Sequence, residues 1–368
     1  MQIRNYNAII QSVAECIVSI LDSELKKNQK EEVMCGTMFS RLPELRVTVN
    51  SRCGRACFFC RPSGEAVETL PGVELDIKTV LTIAKICEGF GISYIKLTGG
   101  DPALWLPLAE CVGRLKTETK CRVEVISRHP RIAESAEALV HAGTDMLNIS
   151  IDTLDPDLHR KITGVNDLAE ILDALAMCIG VGLPCKVNMV VLAQVNDHEI
   201  DRIITFCESV GVKVVKLLDL MTDIEDGTES FARRMRLLGF SSLRELYLPL
   251  QNVAEGLRKR AIKERRFRQS GGLGNPMFGF MMKSGMEVIT KDHHAGAWYG
   301  SICKGCKYYP CSSALMALRL TADAHLQYCL LRGDLCIDTT LIDSQRLPTY
   351  IENALRMYDQ AVFHPGLE

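Results

Sequence analysis

Two periods of apolar residues alternate along the chain between residues 46 and 220. Apolar residues at every second position, or in a short β-branched block, predict strands, whereas apolar residues three and four positions apart predict helices. The predicted strands are residues 46–50, 94–98, 122–127, 146–151, 186–192 and 212–220, and the predicted helices are residues 76–90, 107–115, 131–142, 168–180 and 197–210. Strands that alternate with helices indicate βαβ units, so we expect an α/β fold with a parallel sheet.

The pattern weakens on both sides of this region, and three parts are predicted. Residues 1–38 form a helical extension, in which the spacing over 6–30 predicts an amphipathic helix that either caps the core or pairs with a second copy. Residues 39–225 hold six strand–helix repeats, which are too few for a closed eight-stranded barrel. Residues 226–368 form a C-terminal region, where the basic run 258–268 predicts the solvated face of a helix rather than a phosphate-binding patch.

The composition limits the classes of protein and partner. A chain of 368 residues with 47% apolar and 24% charged residues is long enough for one large and one smaller domain. A formal net charge of −2 argues against a broad nucleic-acid or membrane surface. The 16 cysteines, with no secretory leader and no apolar run near the ~20 residues that span a bilayer, predict a cytoplasmic protein whose thiols bind metal or fill the core.

Three cysteines follow the first predicted strand at a spacing that suits an iron–sulfur cluster. Cys53, Cys57 and Cys60 form a C-x3-C-x2-C run on a loop. Three thiolates so close together can bind three irons of a [4Fe–4S] cluster and leave the fourth iron open to another ligand. A zinc site or three unrelated core cysteines are the alternatives, although structural zinc needs a fourth ligand and the neighbouring sequence offers no further Cys or His.

Four stretches carry a family resemblance: RLPELRVTVNSRC at 41–53, KLTGGDP at 96–102, NISIDTLD at 148–155 and KVN at 186–188. Together they resemble the radical S-adenosylmethionine (SAM) superfamily and, within it, the GTP 3′,8-cyclases of molybdenum-cofactor synthesis. The resemblance implies an open (β/α)6 partial TIM barrel with a C-terminal iron–sulfur extension. It also implies that an electron from the cluster cleaves SAM and that the resulting 5′-deoxyadenosyl radical abstracts a hydrogen atom from the substrate.

The same resemblance assigns residues to SAM and to the substrate. Those expected to contact SAM are Phe59, Gly99, Gly100, Asp101, Ser127, Ser150 and Met221. Asp152 either joins them or caps the end of its strand. Those expected to bind an anionic substrate are Arg41, Lys96, Lys186 and Arg319. No residue is singled out as a catalytic acid or base.

A second group of cysteines lies in the C-terminal region. Cys303, Cys306 and Cys329 match the cyclase residues that hold a second [4Fe–4S] cluster, and Cys311 or Cys336 is the candidate fourth ligand. A fourth thiolate would close the cluster, which would then serve structure or electron transfer rather than substrate binding. A zinc knuckle is the alternative, because C-x2-C with a distant cysteine also suits zinc. The crowded cysteines also resemble the SPASM and twitch extensions of peptide-modifying radical enzymes.

Three departures from the cyclases bear on the substrate. Ala317 stands in place of an arginine, Trp105 stands in place of a basic residue, and the last residues are not a Gly-Gly pair. We therefore predict a divergent enzyme that acts on a small anionic or nucleotide-like molecule by cyclisation, rearrangement or C–C bond formation. Its expected electron donor is a flavodoxin or ferredoxin, and no nucleic-acid or membrane partner is expected. The alternatives are a peptide-modifying radical SAM enzyme and a non-catalytic electron carrier or zinc-binding structural protein.

Overall fold

The computed structural model describes residues 39–60, 72–224, 233, 235–269 and 271–366, all within one compact unit that begins at Phe39. The helix predicted within residues 1–38 lies outside the described residues. The strands are β1 (Glu44–Thr48), β2 (Tyr94–Thr98), β3 (Arg122–Ser127), β4 (Met146–Ser150), β5 (Cys185–Val190), β6 (Val214–Leu218), β7 (Lys263–Phe267), β8 (Met277–Met281), β9 (Glu287–Lys291), β10 (Ala297–Tyr299), β11 (Ala317–Leu320), β12 (His325–Gln327), β13 (Cys336–Asp338) and β14 (Val362–His364). The α-helices of the described residues are α1 (Ile77–Gly89), α2 (Leu108–Glu118), α3 (Ala136–His141), α4 (Pro156–Thr163), α5 (Leu168–Gly180), α6 (Ile200–Val210), α7 (Gln251–Arg258) and α8 (Leu347–Asp359).

Most strands form one twelve-stranded sheet in the order β13-β12-β11-β1-β2-β3-β4-β5-β6-β9-β8-β7. Neighbours from β1 to β6 pair in parallel, which confirms the predicted α/β fold with an open six-stranded partial barrel. The C-terminal region adds one more parallel strand on each side, β11 against β1 and β9 against β6. The boundary predicted at residues 225 and 226 stays a prediction, although strands from both sides of it share this sheet.

Side chains along β1–β6 alternate between two environments, as the pleat of a strand requires. The outward residues are apolar and buried, among them Leu45, Ile95, Val123, Leu147, Val187 and Val215. The inward residues are polar, among them Arg46, Lys96, Asn148, Lys186 and Lys216. Strands of a parallel sheet are usually apolar on both faces. This alternation therefore marks an inner face that lines a polar cavity.

Local sequence signals explain where α4 begins and ends, and α4 matters because it lies against the cysteine loop. The Asp155 carboxylate accepts hydrogen bonds from the backbone N–H groups of Asp157 and Leu158, at 2.8 and 3.0 Å. Pro156 suits the first helical position, where no N–H is needed. Gly164 ends the helix in a left-handed conformation, with φ of 83°, which glycine adopts without strain.

The basic run 258–268 has a different secondary structure from the predicted one. The basic run 258–268 was predicted as a helix face, and this prediction is wrong: α7 ends at Arg258, and Lys263–Phe267 is the edge strand β7, paired antiparallel with β8. Strand pairing and the ion pair of Arg265 with Glu287 on β9 override the local charge pattern. No helix among the described residues combines the length and the apolar character that crossing a membrane requires.

Candidate active site

The loop that carries Cys53, Cys57 and Cys60 leaves the C-terminal end of β1, the edge where parallel α/β folds place their functional groups. The end of β2 holds it, because the backbone N–H groups of Gly100 and Asp101 donate to the carbonyl oxygens of Asn50 and Arg52, at 2.8 and 2.6 Å. On its other side, the N–H of Ala56 donates to the carbonyl oxygen of Thr163 in α4, at 3.0 Å. The cysteine loop is therefore fixed by two neighbouring elements.

The Gly99–Gly100 pair is required by this close approach. A Cβ added at Gly100 would lie 2.2 Å from the carbonyl oxygen of Arg52, and one at Gly99 would lie 2.9 Å from that of Asn50. Both distances are shorter than carbon and oxygen atoms tolerate, and both neighbours are backbone atoms. The pair therefore has a structural role in seating the cysteine loop, whereas its expected contact with SAM stays a prediction.

The remaining residues predicted to contact SAM fall into two groups. Phe59, Ser150 and Met221 line a cavity inside the barrel, beside the cysteine loop. Asp101 and Ser127 lie behind the cavity wall, where the Ser127 hydroxyl donates to the Asp101 carboxylate at 2.6 Å. The structure thus gives Asp101 and Ser127 a role in joining the ends of β2 and β3, and the barrel cavity is not lined by either residue.

Seven cations and two carboxylates line the barrel cavity, which measures about 270 Å³. The cations are Arg46, Lys96, Arg128, Lys186, Lys216, Lys291 and Arg319, and the carboxylates are Asp152 and Asp219. Arg46, Lys96, Lys186 and Lys216 lie on β1, β2, β5 and β6, and β9 and β11 contribute Lys291 and Arg319. The excess of positive charge makes the cavity a site for an anion.

Two buried glutamates neutralise part of this charge. Glu44 accepts from Arg46 Nε at 2.6 Å and from Lys96 Nζ at 2.7 Å. Glu124 lies 3.3 Å from Lys186 Nζ. Burial raises the pKa of Glu44, but the charges of Lys96 and Arg46 outweigh burial and hold that pKa well below its ordinary value. Glu44 is therefore ionised and holds Arg46 and Lys96 in place.

Replacing Glu44 by Gln should lower the free energy of unfolding by about 3–5 kcal/mol at pH 7, because two cations then lose their buried anionic partner. The sign of the pH dependence follows from the lowered pKa in the folded state: the stabilisation by Glu44 is complete above its ordinary pKa of 4.5 and is lost as the pH falls towards the folded value. In urea unfolding at pH 7, 5 and 4, the free energy of unfolding should therefore fall less with decreasing pH in Glu44→Gln than in the wild type. Glu134→Gln, at a side chain that is 63% exposed, is the control and should match the wild type.

Lys216 and Lys291 face the same cavity, and no carboxylate of the described residues lies within ion-pair distance of either lysine. Burial and the like charges of Lys96, Lys186 and Lys291 lower the pKa of Lys216 well below its ordinary value. Burial also lowers the pKa of Lys291, and Asp219 offsets part of that change. A bound anion would relieve this repulsion. The two lysines are thus the part of the cavity that most needs an anionic ligand.

Arg128 lies between the barrel cavity and the cysteine loop. Its Nη1 donates to Asp152 at 2.5 Å, and its guanidinium lies 5.8 Å from the centre of the Phe59 ring. Burial acts against its charge, but Asp152 and the Cys57 thiolate raise the pKa of Arg128 above its ordinary value. Asp152 also accepts from the N–H of Val190 at 2.9 Å, so it joins strand ends rather than facing solvent.

Three of the four residues predicted to bind substrate come together, and one does not. Lys96, Lys186 and Arg319 line the barrel cavity. Arg41 lies elsewhere, because it precedes β1 at the opposite end of the barrel: its Nη1 donates to the carbonyl oxygens of Asp359 and Ala361, at 2.8 and 3.2 Å, and its guanidinium lies 4.5 Å from the centre of the Trp298 ring. The assignment of Arg41 to the substrate is therefore corrected to a contact with the end of α8.

Sequence reasoning missed Lys216 and Lys291 as cavity residues. A signal for Lys216 was present, since a single lysine interrupts the apolar run Val214–Leu218 at an inward position. Nothing in the sequence pointed to Lys291, because its strand was not predicted.

Four of the C-terminal cysteines are close enough to interact. Burial raises the pKa of Cys303, and the nearby thiolates of Cys329 and Cys306 raise it further. Burial likewise raises the pKa of Cys311 to about 12, with contributions from Asp223 and Cys329. Burial raises the pKa of Cys336, and the groups that raise it further are Asp323, Asp334 and Asp338, none of which is a cysteine. The chemistry of the first four thiols suits an iron–sulfur cluster or zinc, whereas Cys336, which pairs with Gln327 across β12 and β13, has mainly acidic neighbours.

Comparison with known proteins identifies the family. Residues 47–207, which include the end of β1, the cysteine loop and β2–β5, match the family model described as the radical SAM superfamily. The chain is 30% identical over 297 residues to a “Probable GTP 3′,8-cyclase” of Pyrococcus horikoshii, and the match covers 80% of this chain and 85% of that protein. The chain belongs to the radical SAM superfamily. A second “Probable GTP 3′,8-cyclase”, from Thermococcus kodakarensis, is 28% identical over 321 residues, which are 86% of this chain and 94% of that protein.

Solved structures of radical SAM enzymes share the fold. Streptococcus suis SuiB bound to the precursor peptide SuiA superposes with a TM-score of 0.55 at 13% identity, over 83% of this chain and 64% of SuiB. The structure of anSMEcpe with bound AdoMet superposes with a TM-score of 0.56 at 10% identity, over 86% of this chain and 82% of that one. At these identities the likeness shows the fold alone. The predicted family, partial barrel and enzymatic nature are confirmed, and membership of this radical SAM family implies a [4Fe–4S] cluster and SAM as cofactors.

Proposed function

We propose that this radical SAM enzyme acts on a small anionic, nucleotide-like substrate in the barrel cavity, as a divergent relative of the GTP 3′,8-cyclases. This proposal rests mainly on the cationic interior of the barrel, where Lys216 and Lys291 have no carboxylate partner among the described residues. The expected outcome is cyclisation, rearrangement or C–C bond formation. Relatives whose description is “Probable GTP 3′,8-cyclase” support a nucleotide as the substrate class.

Cys53, Cys57 and Cys60 are the proposed ligands of the cluster that cleaves SAM. Their fixed loop leaves no fourth cysteine or histidine among its described residues, which fits a cluster with one open iron. When bound, the cluster and SAM supply a carbon radical that removes a hydrogen atom from the substrate. Phe59, Ser150 and Met221 are the proposed SAM contacts on the cavity side, and the backbone of Gly99 and Gly100 is the proposed contact at the loop. Enclosure within the barrel excludes water and other reactive C–H groups.

The chain's cations have two distinct roles in this proposal. Lys96 and Lys186 are partly neutralised by Glu44 and Glu124, so they position the substrate by hydrogen bonds. Lys216 and Lys291 carry the charge that a phosphate would compensate, because ionised oxygens make strong, short hydrogen bonds to such groups. Arg319 on β11 also lines the cavity. This arrangement favours a ligand with several negative charges.

We further propose that Cys303, Cys306, Cys329 and Cys311 hold a second [4Fe–4S] cluster. The mutual influence of these thiols supports the set, and it favours Cys311 over Cys336 as the fourth ligand. Four thiolates would close the cluster, so its role would be electron transfer or structure. A flavodoxin or ferredoxin is the proposed external donor of the electron.

The proposed function is tested with anaerobically reconstituted protein. We expect about eight irons per chain, as two [4Fe–4S] clusters require. Reduced protein incubated with SAM should form 5′-deoxyadenosine, and a nucleoside triphosphate such as GTP should accelerate its formation. SAM cleavage that no nucleotide or other phosphorylated metabolite accelerates would contradict the anionic substrate. About four irons together with bound zinc would contradict the second cluster.

Replacing Lys216 by Ala should weaken the binding of a triphosphate about tenfold or more, since a hydrogen bond between charged groups contributes about 1.5–3 kcal/mol. Equilibrium dialysis with GTP and with inorganic tripolyphosphate measures the effect. Lys213→Ala is the matched control, because Lys213 is exposed three positions earlier on the chain and should be neutral. Equal affinities in wild type and Lys216→Ala would show that the anion does not occupy the barrel cavity.

A further inference from the structure

A second cavity, here called the side cavity, lies beside Cys311 on the other side of the C-terminal cysteine loop. It measures about 540 Å³, twice the barrel cavity and within the range of small-molecule sites. The two cavities share no lining residue. The walls of the side cavity come from the segments that follow β6 and β9, from Arg244 and Tyr247, and from residues 309–312 and 364–366. The proposed function uses none of these residues except Cys311.

The acidic groups at the side cavity are already occupied by the protein. Asp223 is the carboxylate that lines it, and this side chain accepts from the N–H of Ser312 at 2.6 Å and from its hydroxyl at 2.5 Å. Behind the wall, Asp292 accepts from the Tyr247 hydroxyl at 2.8 Å and from the N–H of Leu250 at 2.7 Å. These hydrogen bonds fix both carboxylates in place, although each keeps its negative charge.

Arg244 and His293 are two of the four basic side chains that line the side cavity. The backbone N–H of His293 donates to Asp219 at 2.8 Å, and its ring Nδ1 also contacts that carboxylate. Because a carboxylate only accepts, Nδ1 donates to Asp219, and in the imidazolium form Nε2 also donates and is left for an anionic ligand. Burial lowers the pKa of His293, but Asp219, together with the charges of Asp292 and Asp223, outweighs burial and raises that pKa above its ordinary value. Arg244 is exposed and makes no ion pair with the described carboxylates.

Flat rings form two groups on the walls of the side cavity. Tyr247, His293 and His294 lie with ring centres 4.8–5.1 Å apart. Tyr299, Tyr309 and His364 form the other group, with centres 5.0–6.1 Å apart. Aromatic rings stack on planar heterocycles, and this stacking contributes about 1–3 kcal/mol per base to the binding free energy.

The wall formed by residues 364–366 is built into the fold. β14 pairs with β10, which aligns His364 with Ala297. Gly366 then passes so close to the backbone of His294 that an added Cβ would lie 1.5 Å from the carbonyl oxygen of His294. The cavity is therefore preformed, and a ligand would not have to order this wall.

We propose that the side cavity is a second binding site for a phosphorylated planar heterocycle, with Arg244 and His293 binding the phosphate and the tyrosine and histidine rings stacking on the heterocycle. Purine nucleotides and flavin mononucleotide share this chemistry. The proposal does not depend on the reaction in the barrel.

Equilibrium dialysis of the anaerobically reconstituted protein tests this, with GTP and flavin mononucleotide as separate probes. At least one probe should bind saturably, and Arg244→Ala and His293→Gln should each weaken that binding about tenfold or more. His293→Gln retains a donor for Asp219, so it removes the imidazole without emptying its place. Lys259→Ala, at an exposed cation beyond α7, is the control and should bind as the wild type does. Iron content and SAM binding should be unchanged in Arg244→Ala.

The barrel variant separates the two sites. If Arg244→Ala weakens binding and Lys216→Ala leaves it intact, the result supports the side cavity. The probe that binds in this way, GTP or flavin mononucleotide, then shows whether the ligand is a purine nucleotide or a flavin. Binding that Lys216→Ala weakens and Arg244→Ala leaves intact overturns the side cavity while supporting the barrel site. Equal binding in wild type, Arg244→Ala and His293→Gln, or the lack of saturable binding of either probe, also overturns it.

Discussion

Cys57→Ala should reduce SAM cleavage to the background rate, and the iron content should fall from about eight to about four per chain. Cys57 is the central cysteine of a loop that hydrogen bonds fix to the end of β2 and to α4. The C-terminal cysteines belong to a separate loop and should keep their metal. Anaerobic reconstitution, followed by iron analysis and an assay of 5′-deoxyadenosine, measures both effects in one preparation.

Cys336→Ala is the matched control for that experiment, because Cys336 is a half-buried thiol whose pKa responds to burial and to three aspartates and not to another cysteine. It should retain about eight irons and normal SAM cleavage. Cys311→Ala should in turn lose iron from the C-terminal site. Residual 5′-deoxyadenosine formation by Cys57→Ala at the wild-type rate would contradict the assignment of the first cluster. Loss of C-terminal iron in Cys336→Ala would instead make Cys336 the fourth ligand.

Gly100→Ala should destabilise the protein by about 3 kcal/mol or more, as overpacking against backbone does when nothing can move aside. The added Cβ would lie 2.2 Å from the carbonyl oxygen of Arg52, directly before Cys53. Relief of this contact requires the cysteine loop to shift, which also breaks the hydrogen bond from the N–H of Asp101 to Arg52. We therefore expect a lower melting temperature together with loss of iron from the first site.

Gly113→Ala is the matched control, since Gly113 lies within α2 and an added Cβ would meet the Ala142 side chain at 3.7 Å, an ordinary contact. Alanine forms helix better than glycine, so this variant should be as stable as the wild type or up to about 1 kcal/mol more stable. Thermal unfolding of both variants separates a general sensitivity to alanine from the specific contact at Gly100. A Gly100→Ala protein with wild-type stability and full iron would contradict the tight seating of the loop.

The cavity chemistry follows from an unusual use of a parallel sheet. Both faces of such a sheet are usually apolar, but here one face of each strand carries charge towards the interior of the barrel. Buried Glu44 and Glu124 make this tolerable by pairing with three of the cations. Lys216 and Lys291 have no carboxylate within ion-pair distance among the described residues, and this property distinguishes a substrate site from a filled barrel core.

The sequence by itself determined the alternation of strands and helices and the cysteine loop. These features are local, because the period of apolar residues and the spacing of the cysteines are both read within a few turns of the chain. Strands such as Tyr94–Thr98 and Arg122–Ser127 were therefore predicted at their observed bounds. The family resemblance at the cysteine loop was local in the same sense.

Only the tertiary structure decided which distant residues share a cavity. β9 and β11 join the parallel sheet from beyond the predicted repeats, and pairing over such sequence distances leaves no local signature; Lys291 therefore escaped prediction. Arg41 was placed with the substrate residues by motif, whereas its position before β1 sends it to the end of α8. The Gly-Gly pair was assigned to a contact with SAM, whereas the structure shows that the close approach of the Arg52 backbone already requires glycine at position 100. Periodicity fixes the face on which a side chain lies, but the partners across that face depend on how the whole sheet is assembled.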